Sequence, residues 1–267
     1  MTAHRARKRF GQNFLHDRGI IQSIVRAVSP RSDQRLLEIG PGQGAITAEL
    51  LASGCRLDVI ELDRDLLPIL DDKFGALENF HLHEGDALKF DIAGLAGNTP
   101  LRVVGNLPYN ISTPLIFHLL SAQSCIQDMH FMLQKEVVDR LAAQPGSKAY
   151  GRLGIMAQYY CQVESLFDVP PECFSPRPKV MSAIVRLTPH RQLPIVADNV
   201  DTLQRVLREA FNQRRKTLRN NLKNLLDGEQ IAALDIDPGT RPEQLSLAEF
   251  VTIANFVERQ SPKPEYS

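Results

Sequence analysis

Net charge is what this sequence most plainly lacks. Its 31 Lys and Arg balance 31 Asp and Glu over 267 residues, so whole-molecule charge selects no partner. Cysteine is scarce too. Cys55, Cys125, Cys161 and Cys173 have neither the spacing of a zinc site nor that of a redox pair. They read as reduced core residues of a cytosolic protein. No run approaches the ~18 apolar residues of a membrane span, and the basic N-terminus has no apolar segment behind it. The expectation is no secretion and no membrane. His81 and His83 have no third ligand near them in sequence, so no metal is expected. There are no internal repeats.

What is present is enough apolar material for one full core and a small appendage, since 43% of the chain is hydrophobic. Charge, although balanced overall, is unevenly spread. Residues 1–18 carry Arg5, Arg7, Lys8, Arg9 and Arg18 against Asp17, a local charge of +4. Residues 203–224 carry Arg205, Arg208, Arg214, Arg215, Lys216, Arg219 and Lys223 against Glu209, a local charge of +6. Two such segments on a neutral chain read either as solvated faces or as a localised anion-binding surface.

Strand-like and helix-like segments alternate through the first 190 residues or so. Arg35–Ile39, Arg56–Ile60, Phe80–Glu84, Leu101–Gly105 and Asp128–Leu133 are short apolar strands. Ala45–Ala52, Arg64–Phe74 and Pro114–Leu120 read as helices between them, the last opened by Thr113 as N-cap and Pro114 as first helical residue. This alternation predicts a mostly parallel sheet with helices on both faces. Tyr159–Val169 and Ser182–Thr188 then read as two further strands, antiparallel neighbours because the proline-rich Pro170–Pro178 between them has no room for a crossover helix. After Pro189 the pattern becomes helical. Leu203, Val206, Leu207, Ala210 and Phe211 form one stripe. Leu218, Leu222, Leu225 and Leu226 repeat it, with Arg215, Arg219 and Lys223 aligned on another face. Ser246 and Glu249 make a capping box for a last helix running to about Glu258. The expected domains are 1–189, with a basic N-terminal arm, and a small helical unit at 190–267.

Gly40, Gly42 and Gly44 follow a strand and open a helix, allowing a tight turn and close approach to a ligand. Their spacing is G-x-G-x-G, not the G-x-G-x-x-G of dinucleotide binders. Glu61 ends the next strand, where a carboxylate can accept both ribose hydroxyls of a nucleoside. Asp86 ends the third, where it can accept from an adenine amino group beside the Ala87 N–H. Ligands of open α/β sheets sit outside the carboxyl ends of such strands. Glu38 gives the loop acidic character and Pro41 removes one N–H, which disfavours phosphate. S-adenosylmethionine, cationic and without pyrophosphate, fits better than NAD.

Asn106-Leu-Pro-Tyr109 follows the fourth strand. An exocyclic base nitrogen is a poor nucleophile because its lone pair is delocalised. The Asn106 side-chain oxygen and the Leu107 carbonyl can accept its two N–H bonds and aim the lone pair at a methyl group. Tyr109 offers a stacking face, and Phe174, between the last two strands, a second one. Together the two sites point to methyl transfer onto a base nitrogen, carried by orientation and preorganised hydrogen bonds.

At this point the chain resembles a known family, the bacterial small-subunit (16S) ribosomal RNA adenine N6,N6-dimethyltransferases. The resemblance rests on Phe10-Gly-Gln-Asn-Phe-Leu15, Glu38–Gly44, Glu61, Glu84-Gly-Asp-Ala87, Asn106–Tyr109, Gln134-Lys-Glu-Val137 and Phe174–Val180, in order over nearly the whole chain. It implies a class I S-adenosylmethionine-dependent methyltransferase sheet, Rossmann-like and seven-stranded with an antiparallel last strand, plus a small all-helical C-terminal domain. It implies cofactor roles for Gln12, Asn13, Leu15, Gly40, Glu61, Asp86 and Asn106. It places target-base roles on Asn106, Leu107, Tyr109 and Phe174. It further implies a monomer acting in the cytoplasm on two adjacent adenosines near the 3′ end of the rRNA in an immature small subunit, late in assembly. One departure stands out: after Lys179-Val180 the family usually has an acid, and this chain has Met181. Three other readings stay open: a DNA adenine methyltransferase, a non-enzymatic assembly factor keeping the fold, and a nicotinamide-dependent dehydrogenase.

Overall fold

The computed structural model describes residues 12–108, 111–213 and 215–260. By Cα packing the chain forms two compact units. The first holds the residues up to Val138 together with Gln162–Pro189, the second Asp139–Cys161 together with the residues from His190 onward. The expected boundary at 189/190 is therefore one of several crossings, because 139–161 packs with the later helices.

The first unit is built on a sheet of seven strands: β2 (Arg35–Ile39), β3 (Arg56–Glu61), β4 (Phe80–Glu84), β5 (Leu101–Asn106), β6 (Ile126–Gln134), β7 (Cys161–Val169) and β9 (Ser182–Pro189). Their order is β4-β3-β2-β5-β6-β9-β7. The first five in that order pair in parallel, and β9 pairs antiparallel with β6. β7 and β9 are neighbours, as the short gap between them requires. Leu36, Leu37 and Ile39 of β2 and Leu57, Val59 and Ile60 of β3 are all buried, the near-continuous apolar run of strands covered on both faces. Two more residues at each of two places, β1 (Phe14–Leu15) and β8 (Phe174–Ser175), form a separate small ladder.

Helices α1 (Arg18–Val28), α2 (Ala45–Leu51), α3 (Leu67–Phe74), α4 (Ile92–Ala96) and α5 (Ser112–Ser121) belong to this unit, and α6 (Lys135–Leu141) leads out of it. α1 is absent from the sequence reading although Ile21, Ile24, Val25 and Val28 carry a helical stripe. Asp17 caps it, accepting from the Ile20 N–H at 2.9 Å. α5 starts earlier than expected, with Ile111 as N-cap and no side-chain cap. The Ile111 N–H bonds to the Pro108 carbonyl, and Pro114 falls inside the first turn of the helix.

The second unit holds α7 (Arg152–Tyr160), α8 (Val200–Ala210), α9 (Leu218–Asn221), α10 (Gly228–Ala232) and α11 (Leu247–Gln260). The start of the expected strand at Tyr159 is in fact the end of α7. Leu203, Val206, Leu207 and Ala210 of α8 are buried, as are Phe250, Ile253, Ala254 and Val257 of α11, and the two helices pack together. Ser246 and Glu249 do form the capping box of α11.

His130 of β6 is 2% exposed, with its Nδ1 3.6 Å from an Asp128 carboxylate oxygen. Burial pushes its pKa down to about 4, with Arg102 and Arg186 adding to it and with Asp128 and the Ala27 backbone opposing. The unfolded chain therefore binds one more proton than the folded one between about pH 6.5 and 4. His130 costs no stability from protonation above that window and progressively more as pH falls through it, about 3 kcal/mol by pH 4. Urea titrations of the protein and of His130→Leu should diverge toward low pH by this amount. A difference independent of pH would refute the assignment.

Candidate active site

β2 leads through α2 to β3 on one side, and β5 leads through α5 to β6 on the other, so the strand order reverses between β2 and β5. That is the point where open α/β sheets bind ligands. A cavity of about 990 Å³ lies there. It is lined by the sequence-predicted Gln12, Asn13, Leu15, Glu38, Gly40, Gly42, Gly44, Glu61, Asp86, Ala87, Asn106 and Leu107.

The glycine turn has φ values of +67°, +60° and +83° at Gly40, Gly42 and Gly44, a region L side chains rarely occupy. Space is equally decisive at two of them. A Cβ on Gly44 would stand 2.5 Å from the Phe74 ring, and one on Gly42 would stand 3.0 Å from Phe14.

Acids dominate the electrostatics. Glu38 is 2% exposed and accepts a 2.6 Å hydrogen bond from the Thr47 hydroxyl. Burial pushes its pKa up to about 7, with the Thr47 bond opposing and the nearby Glu61 adding. Burial also raises the Glu61 carboxyl, opposed by the N–H groups of Asp63, Leu62 and Gly42. The Asp63 bond is 2.8 Å. Asp63 itself, missed in the sequence, is buried and accepts from the Gln12 side-chain amide at 2.8 Å. Asp86 accepts the Leu88 N–H at 3.0 Å, which shapes the turn after β4. Among the described residues no Lys or Arg forms an ion pair with Glu38 or Glu61. Lys73 reaches the cavity, but its ammonium donates to the Gln43 carbonyl at 2.7 Å. Such a pocket suits a ligand with hydroxyl and amino donors and positive charge, and repels phosphate. The donor set fits S-adenosylmethionine.

At the end of β5, the Asn106 Nδ2 donates to the Asn13 carbonyl at 3.1 Å. That bond assigns the amide's orientation and leaves Oδ1 as an acceptor. The Leu107 N–H donates to the Met132 carbonyl at 3.1 Å, and its side chain is buried. Among the described residues nothing donates to the Leu107 carbonyl. Gly105 is obligatory here, since a Cβ would lie 2.8 Å from both the Ile39 carbonyl and Leu107. The Asn13 contact had no signal in sequence, because the two asparagines are 93 positions apart.

Two expectations need correcting. Phe174 does not face the cavity: it is 4% exposed and packs with Leu15, Val169, Cys173 and their neighbours in the core. Ser175 and Pro176 line the cavity instead. The second concerns the basic stripe. α8 ends at Ala210 and α9 is a single turn, so Arg215, Arg219 and Lys223 do not share one helix. The Leu218 N–H bonds to the Thr240 carbonyl, the Arg219 N–H to Pro238, and the Asn221 amide to the carbonyls of Gln213 and Lys216. These tertiary bonds outcompete helix continuation. Arg215, Lys216, Arg219 and Lys223 are nevertheless exposed. Tyr109, Arg5, Arg7, Lys8, Arg9 and Arg214 lie outside the described residues.

Residues 3–259 match the family described as ribosomal RNA adenine dimethylase. A Pseudomonas aeruginosa protein named ribosomal RNA small subunit methyltransferase A is 66% identical over 253 residues, covering 94% of each chain. A protein of the same name from Chromohalobacter salexigens is 63% identical over 265 residues, covering 97% of this chain and 94% of its own. Among solved structures, a dimethyladenosine transferase from Plasmodium falciparum aligns with a TM-score of 0.78 at 27% identity, over 90% of this chain and 95% of that one. The 23S rRNA methyltransferase ErmE, 23% identical, shares the fold with a TM-score of 0.74 over 92% of this chain and all of its own.

Proposed function

Because this chain belongs to the ribosomal RNA adenine dimethylase family, we propose that it dimethylates N6 of two adjacent adenosines near the 3′ end of small-subunit rRNA. The fold is that of an S-adenosylmethionine-dependent methyltransferase. When bound, the cofactor supplies an electrophilic methyl group on a sulfonium. Glu61 accepts from the ribose hydroxyls, Asp86 and the Ala87 N–H meet the adenine, and Gly40, Gly42 and Gly44 let the backbone close on the ligand. Gln12, Asn13 and Leu15, which line the same cavity, would contact the cofactor, and Glu38 would give its methionine end an acidic surround.

The observation that carries the chemical reading is the Asn106 amide, anchored through Nδ2 with Oδ1 left to accept, next to the open Leu107 carbonyl. In the first transfer those two oxygens would hold the two N6 hydrogens and turn the nitrogen lone pair toward the methyl; in the second, the one remaining hydrogen would be held by one of them. No strong general base is required, because the alkylated nitrogen is acidic and gives its proton to solvent. Tyr109 stacks on the base, which must be splayed from its neighbours at a cost of a few kcal/mol. Phe174 belongs to the core cluster and does not line the cavity.

The substrate is the immature small subunit, met by a monomer in the cytoplasm. Arg5, Arg7, Lys8, Arg9, Arg214, Arg215, Lys216, Arg219 and Lys223 hold RNA phosphates. Reversing Arg215 and Arg219 to glutamate should weaken RNA binding about tenfold or more and spare cofactor binding. Filter binding over a salt series and calorimetry with S-adenosylmethionine check this together. Equal RNA affinity in the double variant would remove α9 and its flank from the interface.

The direct test is mass analysis of nucleosides from unmethylated small subunits after incubation with the protein and S-adenosylmethionine, with duplex DNA in parallel. N6,N6-dimethyladenosine is expected in the rRNA alone. No new methylated adenosine in either would favour the assembly-factor reading.

A further inference from the structure

Large apolar side chains left in water are few in this protein. Leu62, Leu77, Val180, Met181 and Val196 are the exposed ones among the described residues. Two of the five are adjacent, Val180 at 43% and Met181 at 39% exposure. Isolated exposed apolar residues are ordinary, but contiguous ones mark interaction surfaces. Pro176, four residues earlier, is also exposed and lines the cavity with Ser175. Three exposed apolar residues, Pro176, Val180 and Met181, thus lie on one loop whose Pro176 end lines the cavity.

The loop is held at both ends. Before it, Ser175 pairs with Phe14 across the β1–β8 ladder. After it, the Lys135 N–H donates to the Met181 carbonyl at 2.9 Å, and Ser182 opens β9 in register with Gln134. Pro178 is buried between the exposed residues. The apolar surface is therefore displayed on fixed backbone.

Its charge is basic. Lys179 is exposed and has no ion-pair partner among the described residues. Arg177 meets Glu172 at 3.3 Å, with both side chains mostly in solvent, the kind of pair that contributes little and exchanges readily. Apolar and cationic side chains interleaved beside the cavity suit a single-stranded nucleic acid, whose bases take the apolar surface and whose phosphates take the cations. A purely apolar protein partner would gain nothing from the cations.

We propose that the loop Pro176–Met181 is a docking strip for the RNA strand flanking the target adenosine. Pro176, Val180 and Met181 receive a neighbouring base, and Lys179 with Arg177 receives its phosphates. This rests on the reading of RNA as the substrate, and it assigns to the strip the approach of the strand, not the chemistry.

The test compares the unaltered protein with Lys179→Glu, Met181→Glu, the double variant and Met181→Leu. Each is assayed for affinity to a protein-free rRNA 3′-end fragment over a salt series, for KM and kcat on unmethylated small subunits, and for S-adenosylmethionine affinity by calorimetry. The double variant should bind the fragment about tenfold or more weakly and raise KM correspondingly. Lys179→Glu should flatten the salt slope by about one unit. Saturating kcat and cofactor affinity should stay within about twofold, and Met181→Leu should match the unaltered protein. Unchanged fragment affinity in the double variant would overturn the proposal. So would a defect seen only on subunits and not on the fragment, which would make the strip a contact for ribosomal protein. Failure of the parent reading would look different, since the unaltered protein would then neither bind nor methylate the RNA.

Discussion

Asn106→Ala is expected to lower the single-turnover methylation rate by about 10²–10³-fold or more, the cost of removing one preorganised hydrogen-bond acceptor from a reacting group. Cofactor affinity should fall far less, because Gly40, Glu61 and Asp86 hold the ligand from other strands. Asn106→Asp sharpens the point. A carboxylate can still accept from an amino group, but it cannot donate to the Asn13 carbonyl as Nδ2 does at 3.1 Å. It would face that carbonyl oxygen with negative charge and turn away. Asn106→Asp should therefore remain at least about tenfold impaired. Calorimetry with S-adenosylmethionine and rapid-quench methylation of rRNA separate the two effects. Wild-type turnover in Asn106→Ala would remove this residue from the chemistry.

Arg102→Ala carries the largest expected cost in stability. Arg102 is 6% exposed, inside β5. Its Nε and Nη2 fork onto Asp128 at 3.0 and 2.9 Å. Nη2 also donates to the Val28 carbonyl at 2.6 Å, and Nη1 donates to the Gln34 side chain at 2.8 Å and the Ser29 carbonyl at 3.3 Å. Truncation strands a largely buried carboxylate and the last carbonyls of α1. Breaking one partner of such a pair costs about 3–5 kcal/mol. Lysine does not rescue it, since an ammonium cannot reproduce the fork. The double change Arg102→Met with Asp128→Leu should cost less than Arg102→Ala alone, because no charge is then left buried without a partner. Denaturant titration measures all three. A loss below about 1 kcal/mol for Arg102→Ala would show that water reaches Asp128. The consequence extends to the site, because α1 carries the cavity-lining Arg18 and Ile21 at its other end.

Much of the scaffold was legible before any coordinates. The five parallel strands sit within two residues of their expected ends, because each is a short apolar run bounded by turn residues and needs only local reading. Gly40, Gly42, Gly44, Glu61, Asp86 and Asn106 meet around one cavity as expected, because residues at the carboxyl ends of parallel strands share one edge of the sheet. The capping box at Ser246 was equally local.

What the sequence determined by itself, then, was which segments bury apolar surface, where they turn, and which functional groups sit at strand ends. Tertiary structure decided the rest. Phe174 and Pro176 are two residues apart, yet one is core and the other lines the cavity. That choice belongs to the β1–β8 ladder, which pairs Phe174 with Leu15 across the fold. The leucine stripe Leu218, Leu222, Leu225 and Leu226, with Arg215, Arg219 and Lys223 on another face, reads as helical, but carbonyls from residues 238 and 240 claim the first backbone N–H groups. The Asn106 amide takes its orientation from Asn13, and Asp63 takes its partner from Gln12. The physical reason is common to all of them. Periodicity reports the burial of a segment, which is a property of its own side chains. Hydrogen-bond partners and burial of single residues are set by whichever distant groups the closed fold brings within reach.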